Sequence, residues 1–160
     1  MRHAKSSWKK KHLADHRRPL NKRGKRAAPE MGRRLEKKGV TLDVIISSDA
    51  RRAMDTATVV AEILGMPEKA VVMRNDLYHA TAERLLDIVH RLQDGWHQVM
   101  LVGHNPGFTE LANRLYPEVI DNVPTAGIVS LTFESTSWRL VNKGRLVSGE
   151  FDYPKKQPHG

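Results

Sequence analysis

Leu42-Asp43-Val44-Ile45-Ile46-Ser47-Ser48-Asp49-Ala50-Arg51-Arg52-Ala53-Met54-Asp55-Thr56-Ala57 reads as a strand running into a helix. Val44, Ile45 and Ile46 are continuous rather than alternating, as in a parallel sheet covered on both faces, so Leu42 to Ser47 is expected to be a buried strand. The chain leaves it through a Ser/Asp cap. Ala53, Ala57, Val60, Ala61 and Leu64 then recur at helical spacing, and Gly65 closes the helix. Arg51 and Arg52 therefore fall in the first turn, just past the carboxyl end of a strand. Cations are disfavoured at that place. An anion bound in front of the turn would reverse this; the plainer reading pairs both arginines with Asp49 and Asp55.

Working outward, the same alternation repeats. Asn21 to Lys38 reads as a helix capped by Asn21, with Ala28, Met31 and Leu35 buried, Pro29 expected to kink or split it, and Gly39 ending it. Val71 to Met73 is a short strand, and Thr81 caps a helix to Leu92. Gln98 to Val102 is a strand running into Gly103-His104-Asn105-Pro106-Gly107-Phe108, where Asn105 can cap a helix carrying Leu111, Ala112 and Leu115. Ile128 to Phe133 and Trp138 to Val141 read as an edge hairpin, with Thr125-Ala126-Gly127 close to the sheet's carboxyl edge. Strands alternating with helices predict an α/β fold: a three-layer sandwich with a mostly parallel sheet. Residues 1–153 are expected to form a single domain, and 154–160 a polar, disordered tail.

Composition narrows the function classes. The chain has 160 residues, no cysteine and 39% hydrophobic residues. Disulfides, thiolate catalysis and cysteine-bound zinc are excluded, and a cytoplasmic location is expected. No apolar run approaches the roughly 18 residues of a membrane span. Residues 1–38 carry 15 Lys/Arg against 3 Asp/Glu, so the formal charge of +9 has its excess at the amino end. That suits an anionic substrate or an acidic partner, or is a solvated basic face.

At the start stands Arg2-His3-Ala4-Lys5-Ser6. An arginine can hold a phosphoryl group while a neutral imidazole attacks it. Arg52 and His104 lie at two further turns on the same sheet edge, where open α/β sheets place their ligands. There is no glycine-rich phosphate loop and no credible metal-ligand set, which argues against a nucleotide-dependent kinase. Turnover is expected to need no metal. Asp15 reads either as a proton donor or as a partner for Arg17 or Arg18.

These stretches resemble the histidine phosphatase superfamily, in particular its SixA-like phosphohistidine phosphatases. Besides Arg2-His3, the likeness is carried by Asp15 with Arg18-Pro19-Leu20-Asn21, by Ser47-Ser48 through Thr56-Ala57 (Asp49 standing where proline is usual), by Leu77-Tyr78, and by Gly103 through Gly107. The resemblance implies a phosphoglycerate mutase-like fold and no cofactor. It implies His3 as a nucleophile that becomes phosphorylated, with Arg2, Arg52 and His104 on the phosphoryl oxygens; Lys5, Ser6 and Arg18 are further candidates for binding the phosphate. Glu83, Asp76 and Asp15 are the candidate proton donors. The expected substrate is phosphohistidine in a protein, or a small phosphorylated compound. The rival is a non-catalytic basic module that docks a phosphorylated partner or nucleic acid. Nucleic acid is disfavoured, because Trp8 is the lone aromatic among the first 38 residues. Relatives carry an apolar strand before the Arg-His pair, whereas here only Met1 precedes it. The first strand is thus expected to be absent from this chain, His3 to sit on a fraying terminus, and the natural chain to begin upstream.

Overall fold

The structure is a computed structural model and describes residues 1–157. Helix α1 (Lys22–Lys37) precedes strand β1 (Val44–Ser48) and helix α2 (Arg51–Ile63). Strand β2 (Val71–Arg74), helix α3 (Ala82–His90), strand β3 (Val99–Val102) and helix α4 (Gly107–Leu115) follow, and the antiparallel pair β4 (Ile128–Phe133) and β5 (Leu146–Asp152) ends the order. The parallel sheet has the order β2-β1-β3, with Ile45 opposite both Val71 and Met100. No helix among the described residues is long and apolar enough to cross a membrane.

Every residue of β1 is buried, because the strand is central and covered on both faces. Its side chains alternate between two cores. Ile45 packs with Ala28, Met31, Ala57 and Val60 from α1 and α2, whereas Val44 and Ile46 pack with Leu77, Leu85 and Ile88 on the α3 side. This double coverage explains the unbroken apolar run. Helix α2 ends with Gly65 at φ 67°, a left-handed turn that glycine adopts without steric cost.

Three local expectations need correction. Helix α1 runs unbroken through Pro29; Ala28 and Met31, both fully buried beside it, tie the two halves to one core. Trp138–Leu140 is a short 3-10 turn, not a strand, and β4 pairs instead with β5. Ser137 caps that turn, and the Trp138 indole donates to the Trp96 carbonyl. Asp49 does not cap α2; it faces His16 and Asn75. In the polar tail, the Pro154 carbonyl accepts from Arg34, and residues 158–160 lie outside the described residues.

Residues before α1 form no extended strand, yet they do not fray. Arg2 makes a parallel bridge to Gly103. His3 N–H donates to the Gly103 carbonyl at 3.0 Å, and the His3 carbonyl accepts from Ala126 at 3.0 Å. Arg2 N–H donates to Gly127. Backbone bonds on both sides thus hold His3 where a strand end would.

Candidate active site

The site forms where the turns after residue 2, β1 and β3 converge. Gly24 of α1 lets the first of these approach: a Cβ there would lie 2.1 Å from the Lys5 carbonyl oxygen. That carbonyl accepts from Asn21 N–H, while the Asn21 side chain caps α1 through Gly24 N–H. Ala4 N–H donates to Thr56 Oγ1, whose hydroxyl donates to the Arg52 carbonyl. The turn carrying His3 and the first turn of α2 are therefore locked to each other.

His3 is buried, and its Nδ1 lies 2.7 Å from the Ala4 carbonyl oxygen. A carbonyl only accepts, so Nδ1 carries the proton and the Nε2 lone pair accepts a long hydrogen bond from Arg52 Nε–H. Arg52 Nε lies 3.4 Å from that Nε2. Burial lowers the His3 pKa to about 4, helped by Arg52, Arg2 and Arg18 and opposed by the Ala4 contact. The imidazole is neutral at physiological pH.

His104 stands beside it, ring centroids 5.1 Å apart. Arg52 Nη2 lies 3.4 Å from His104 Nδ1, and His104 Nε2 lies 2.8 Å from Ser48 Oγ. Burial, then His3 and Arg52, lowers its pKa to about 3, so it too is neutral. Arg52 is buried and held by Asp15 twice, at the carbonyl (2.7 Å) and at Oδ2 (3.0 Å). Arg51, its neighbour, points outward toward Asp55. Arg2 Nη1 donates to the Val123 carbonyl, while its buried Nε has no partner among the described residues.

Asp15 is the hub of the arginines. It also accepts from Arg18 and from the Tyr78 hydroxyl at 2.5 Å. Burial works to raise its pKa, but the bonds from Tyr78, Arg18 and Arg52 hold it well below the usual carboxylate range. It stays ionised, which makes it an anchor rather than an acid. Arg18 donates further to Ser6 Oγ and lies under the exposed Trp8 ring, 3.5 Å from its centroid.

The other proposed donors stand apart from this network. Asp76 pairs with Arg74, and exposed Glu83 pairs with Arg114; each partner lowers the carboxyl's pKa. Neither has a hydrogen bond or ion pair to His3, Arg52 or His104. The Lys5 side chain is exposed. Sequence reasoning missed His79, at φ 52° in the left-handed region, with Nε2 3.4 Å from Asp15 Oδ2 and its ring 5.2 Å from that of His104. No pattern marked it; it follows the Leu77-Tyr78 pair directly.

The pattern of the histidine phosphatase superfamily (branch 1) matches residues 1–77, the half that carries His3 and Arg52. Over its whole length the fold resembles a structure assigned as the phosphohistidine phosphatase SixA of Agrobacterium tumefaciens: 25% identity, TM-score 0.80, covering 96% of this chain and 95% of that one. A mycobacterial glucosyl-3-phosphoglycerate phosphatase shares the fold at 18% identity and TM-score 0.67, covering 95% and 94%. An uncharacterised chloroplastic protein of Arabidopsis thaliana is 34% identical over 123 residues, 72% of this chain; the match spans only 56% of that protein's length. An uncharacterised protein of Mycobacterium tuberculosis is 28% identical over 97% of this chain and 100% of its own length. Residues 1–77 thus carry the pattern of the histidine phosphatase superfamily, and the fold of the chain is SixA-like.

Proposed function

We propose that the chain is a phosphatase working through a covalent phosphohistidine on His3, with phosphohistidine in a protein as its substrate. The observation that carries this is the orientation of His3: Nδ1 is committed to the Ala4 carbonyl, and the unprotonated Nε2 faces the Arg52 guanidinium, from which it accepts a long hydrogen bond. In the first step the Nε2 lone pair attacks phosphorus, the bond to the leaving group breaks, and the leaving nitrogen takes a proton. In the second, water attacks the same phosphorus, the bond to Nε2 breaks, and inorganic phosphate leaves. Arg2, Arg52 and His104 surround the equatorial oxygens, whose charge such preorganised donors stabilise. Burial, more than the neighbouring His3 and Arg52, disfavours protonated His104, and an incoming anion would offset part of that penalty so that His104 can become a donor as substrate arrives.

The proton supply favours a substrate with an easy leaving group. Asp15 is held ionised by Tyr78, Arg18 and Arg52, Asp76 by Arg74 and Glu83 by Arg114. His79, half exposed at the rim with Nε2 3.4 Å from Asp15 Oδ2, is the remaining candidate for the proton donor. An imidazole leaves more readily than an alkoxide, so phosphohistidine places the least demand on it. Exposed Lys9, Lys10, Lys11 and Arg17 lie on the loop that follows the nucleophile, a surface suited to an acidic phosphoprotein.

Rapid quench with labelled phosphohistidine protein is expected to trap an acid-labile label on His3. Label elsewhere, or turnover without any, would reject the covalent route. For the proton supply, His79→Gln is expected to slow an alkyl phosphate about a hundredfold more than phosphohistidine, within the usual reach of acid catalysis. Equal slowing of both substrates would remove His79 from that role.

A further inference from the structure

Two arginine pairs meet around Asp15, and each splits in the same way. Arg18 and Arg52 turn inward and are buried against the Asp15 carboxylate. Arg17 and Arg51, one residue earlier in each pair, are exposed and line a cavity of about 410 Å³. Lys10 joins them from the loop before the 3-10 turn Asp15–Arg17. Leu13 and Met54, both half-buried, supply the apolar part of the lining.

The cavity adjoins the candidate active site. His16, which lines it, meets the Tyr78 ring edge-on with centroids 5.0 Å apart. Tyr78 in turn donates to Asp15 and stands 5.3 Å from the His104 ring. The His16 and Tyr78 rings therefore stand between the cavity and the groups around His3.

Charge in the cavity is unbalanced. Asp49 is the one carboxylate among the lining residues, and both of its oxygens are engaged, Oδ1 by His16 at 2.8 Å and Oδ2 by Asn75 at 3.3 Å. Arg51 has only Asp55, 3.6 Å away along the helix. Lys10 and Arg17 make no ion pair and no side-chain hydrogen bond among the described residues. Three permanent cations thus converge on one carboxylate that is already bonded. The apolar part decides which anion fits. Leu13 and Met54 can cover the methylene stem of a carboxylate side chain, whereas a free phosphate wants hydrogen bonds on every side.

We propose that this cavity is a specificity subsite that takes a glutamate side chain flanking the phosphohistidine of a protein substrate. The carboxylate lies among Lys10, Arg17 and Arg51, and its stem lies on Leu13 and Met54. The identity of the substrate rests on the phosphohistidine phosphatase reading above; the glutamate site can be read without turnover. Exposed ion pairs contribute little each. The subsite therefore acts on KM and on encounter rather than on kcat, and salt weakens it.

The test compares two peptides of equal length in which a histidine is flanked by glutamates or by glutamines. Added unphosphorylated to the isotope-labelled chain, the glutamate peptide is expected to shift the amide resonances of Leu13, Arg17, Arg51 and Met54, and the glutamine peptide to leave them in place. Absent shifts, or equal shifts with both peptides, overturn the proposal. An equal response to inorganic phosphate at matched ionic strength would mark an ordinary anion patch and overturn it too. So would saturation by a single-stranded DNA oligonucleotide at lower concentration, which would assign the face to nucleic acid. With the phosphorylated peptides, KM should be about tenfold lower for the glutamate form, as a few exposed pairs together supply, with kcat equal. The double variant Lys10→Ala, Arg17→Ala should bring the two KM values within about twofold of each other. A preference that survives in that variant overturns the proposal. No turnover of either peptide, with the glutamate shifts intact, would reject the phosphohistidine reading and uphold the glutamate site; turnover of both with equal KM would do the reverse.

Discussion

The first residues of the chain join two regions built on opposite terms. At the carboxyl end of the sheet, His3, Arg52, His104 and Asp15 are tied by polar contacts between side chains far apart in sequence, and each turn is locked to the next through Thr56, Ser48 or Asn21. A few residues back, the same segment meets a cavity lined by Leu35, Leu42, Leu101, Phe108 and Leu111, with Gln98, Ser130 and Thr132 among its polar residues. The difference teaches that site geometry and sheet continuity are stored separately. Charge and hydrogen bonding in the turns set the first; apolar burial along the strands sets the second. Substitutions in the turns should therefore remove activity while sparing the fold.

The largest break is His3→Ala. It removes the proposed nucleophile, and turnover of phosphohistidine protein should vanish while thermal unfolding stays cooperative. Retention of the parent rate would end the nucleophile assignment.

A sharper comparison sets two neighbours against each other. Arg52 is buried between His3, His104 and Asp15, whereas Arg51, one residue earlier, reaches solvent and Asp55. Arg52→Ala removes a preorganised donor and should cost about a hundredfold or more in kcat. Arg51→Ala should stay within about twofold, since exposed pairs contribute little. Similar losses in both would mean that general positive charge, rather than the placement of one guanidinium, drives the reaction.

Legibility in the sequence follows the same division. The buried run Val44-Ile45-Ile46 and the stripe from Ala53 to Val60 announce β1 and α2, because two-sided burial and helical spacing are local patterns. Strand β5 was not legible: its residues are mostly exposed, and Leu146–Asp152 is read as a strand only once β4 lies against it. Trp138–Val141, with apolar residues at its ends and middle, looked more like a strand than β5 did. Within the candidate site, His3, Arg52 and His104 stood out at turns on the sheet's carboxyl edge and in the family likeness. The anchoring of Arg52 by Asp15, and of Asp15 by Tyr78, joins residues 37 and 63 positions apart. No local pattern encodes such pairings. Pro29 misled for a related reason: helix propensity is local, and the core contacts of Ala28 and Met31 outweigh it.

The smallest effect expected is graded, and it separates the two regions by pH. His3 has a folded pKa of about 4 against an ordinary 6.5, so between these values the unfolded chain binds a proton that the folded chain refuses. Stability therefore rises with pH across that window and falls on acidification, beginning near pH 6.5 and continuing to about pH 4. For His3 alone the loss between pH 7.5 and 5.5 is about 1 kcal/mol. His104, with a folded pKa of about 3, acts in the same direction. Urea melts across this range measure the slope, and His3→Ala should reduce it while leaving the contribution of His104. NMR titration of the two imidazoles provides the direct check, with both rings remaining neutral at pH 5.5. Either ring titrating near 6.5, or a slope unchanged by His3→Ala, would show that the arginine cluster is more open to water than its geometry indicates. In that case the neutral, ready state of His3 at neutral pH would owe little to burial.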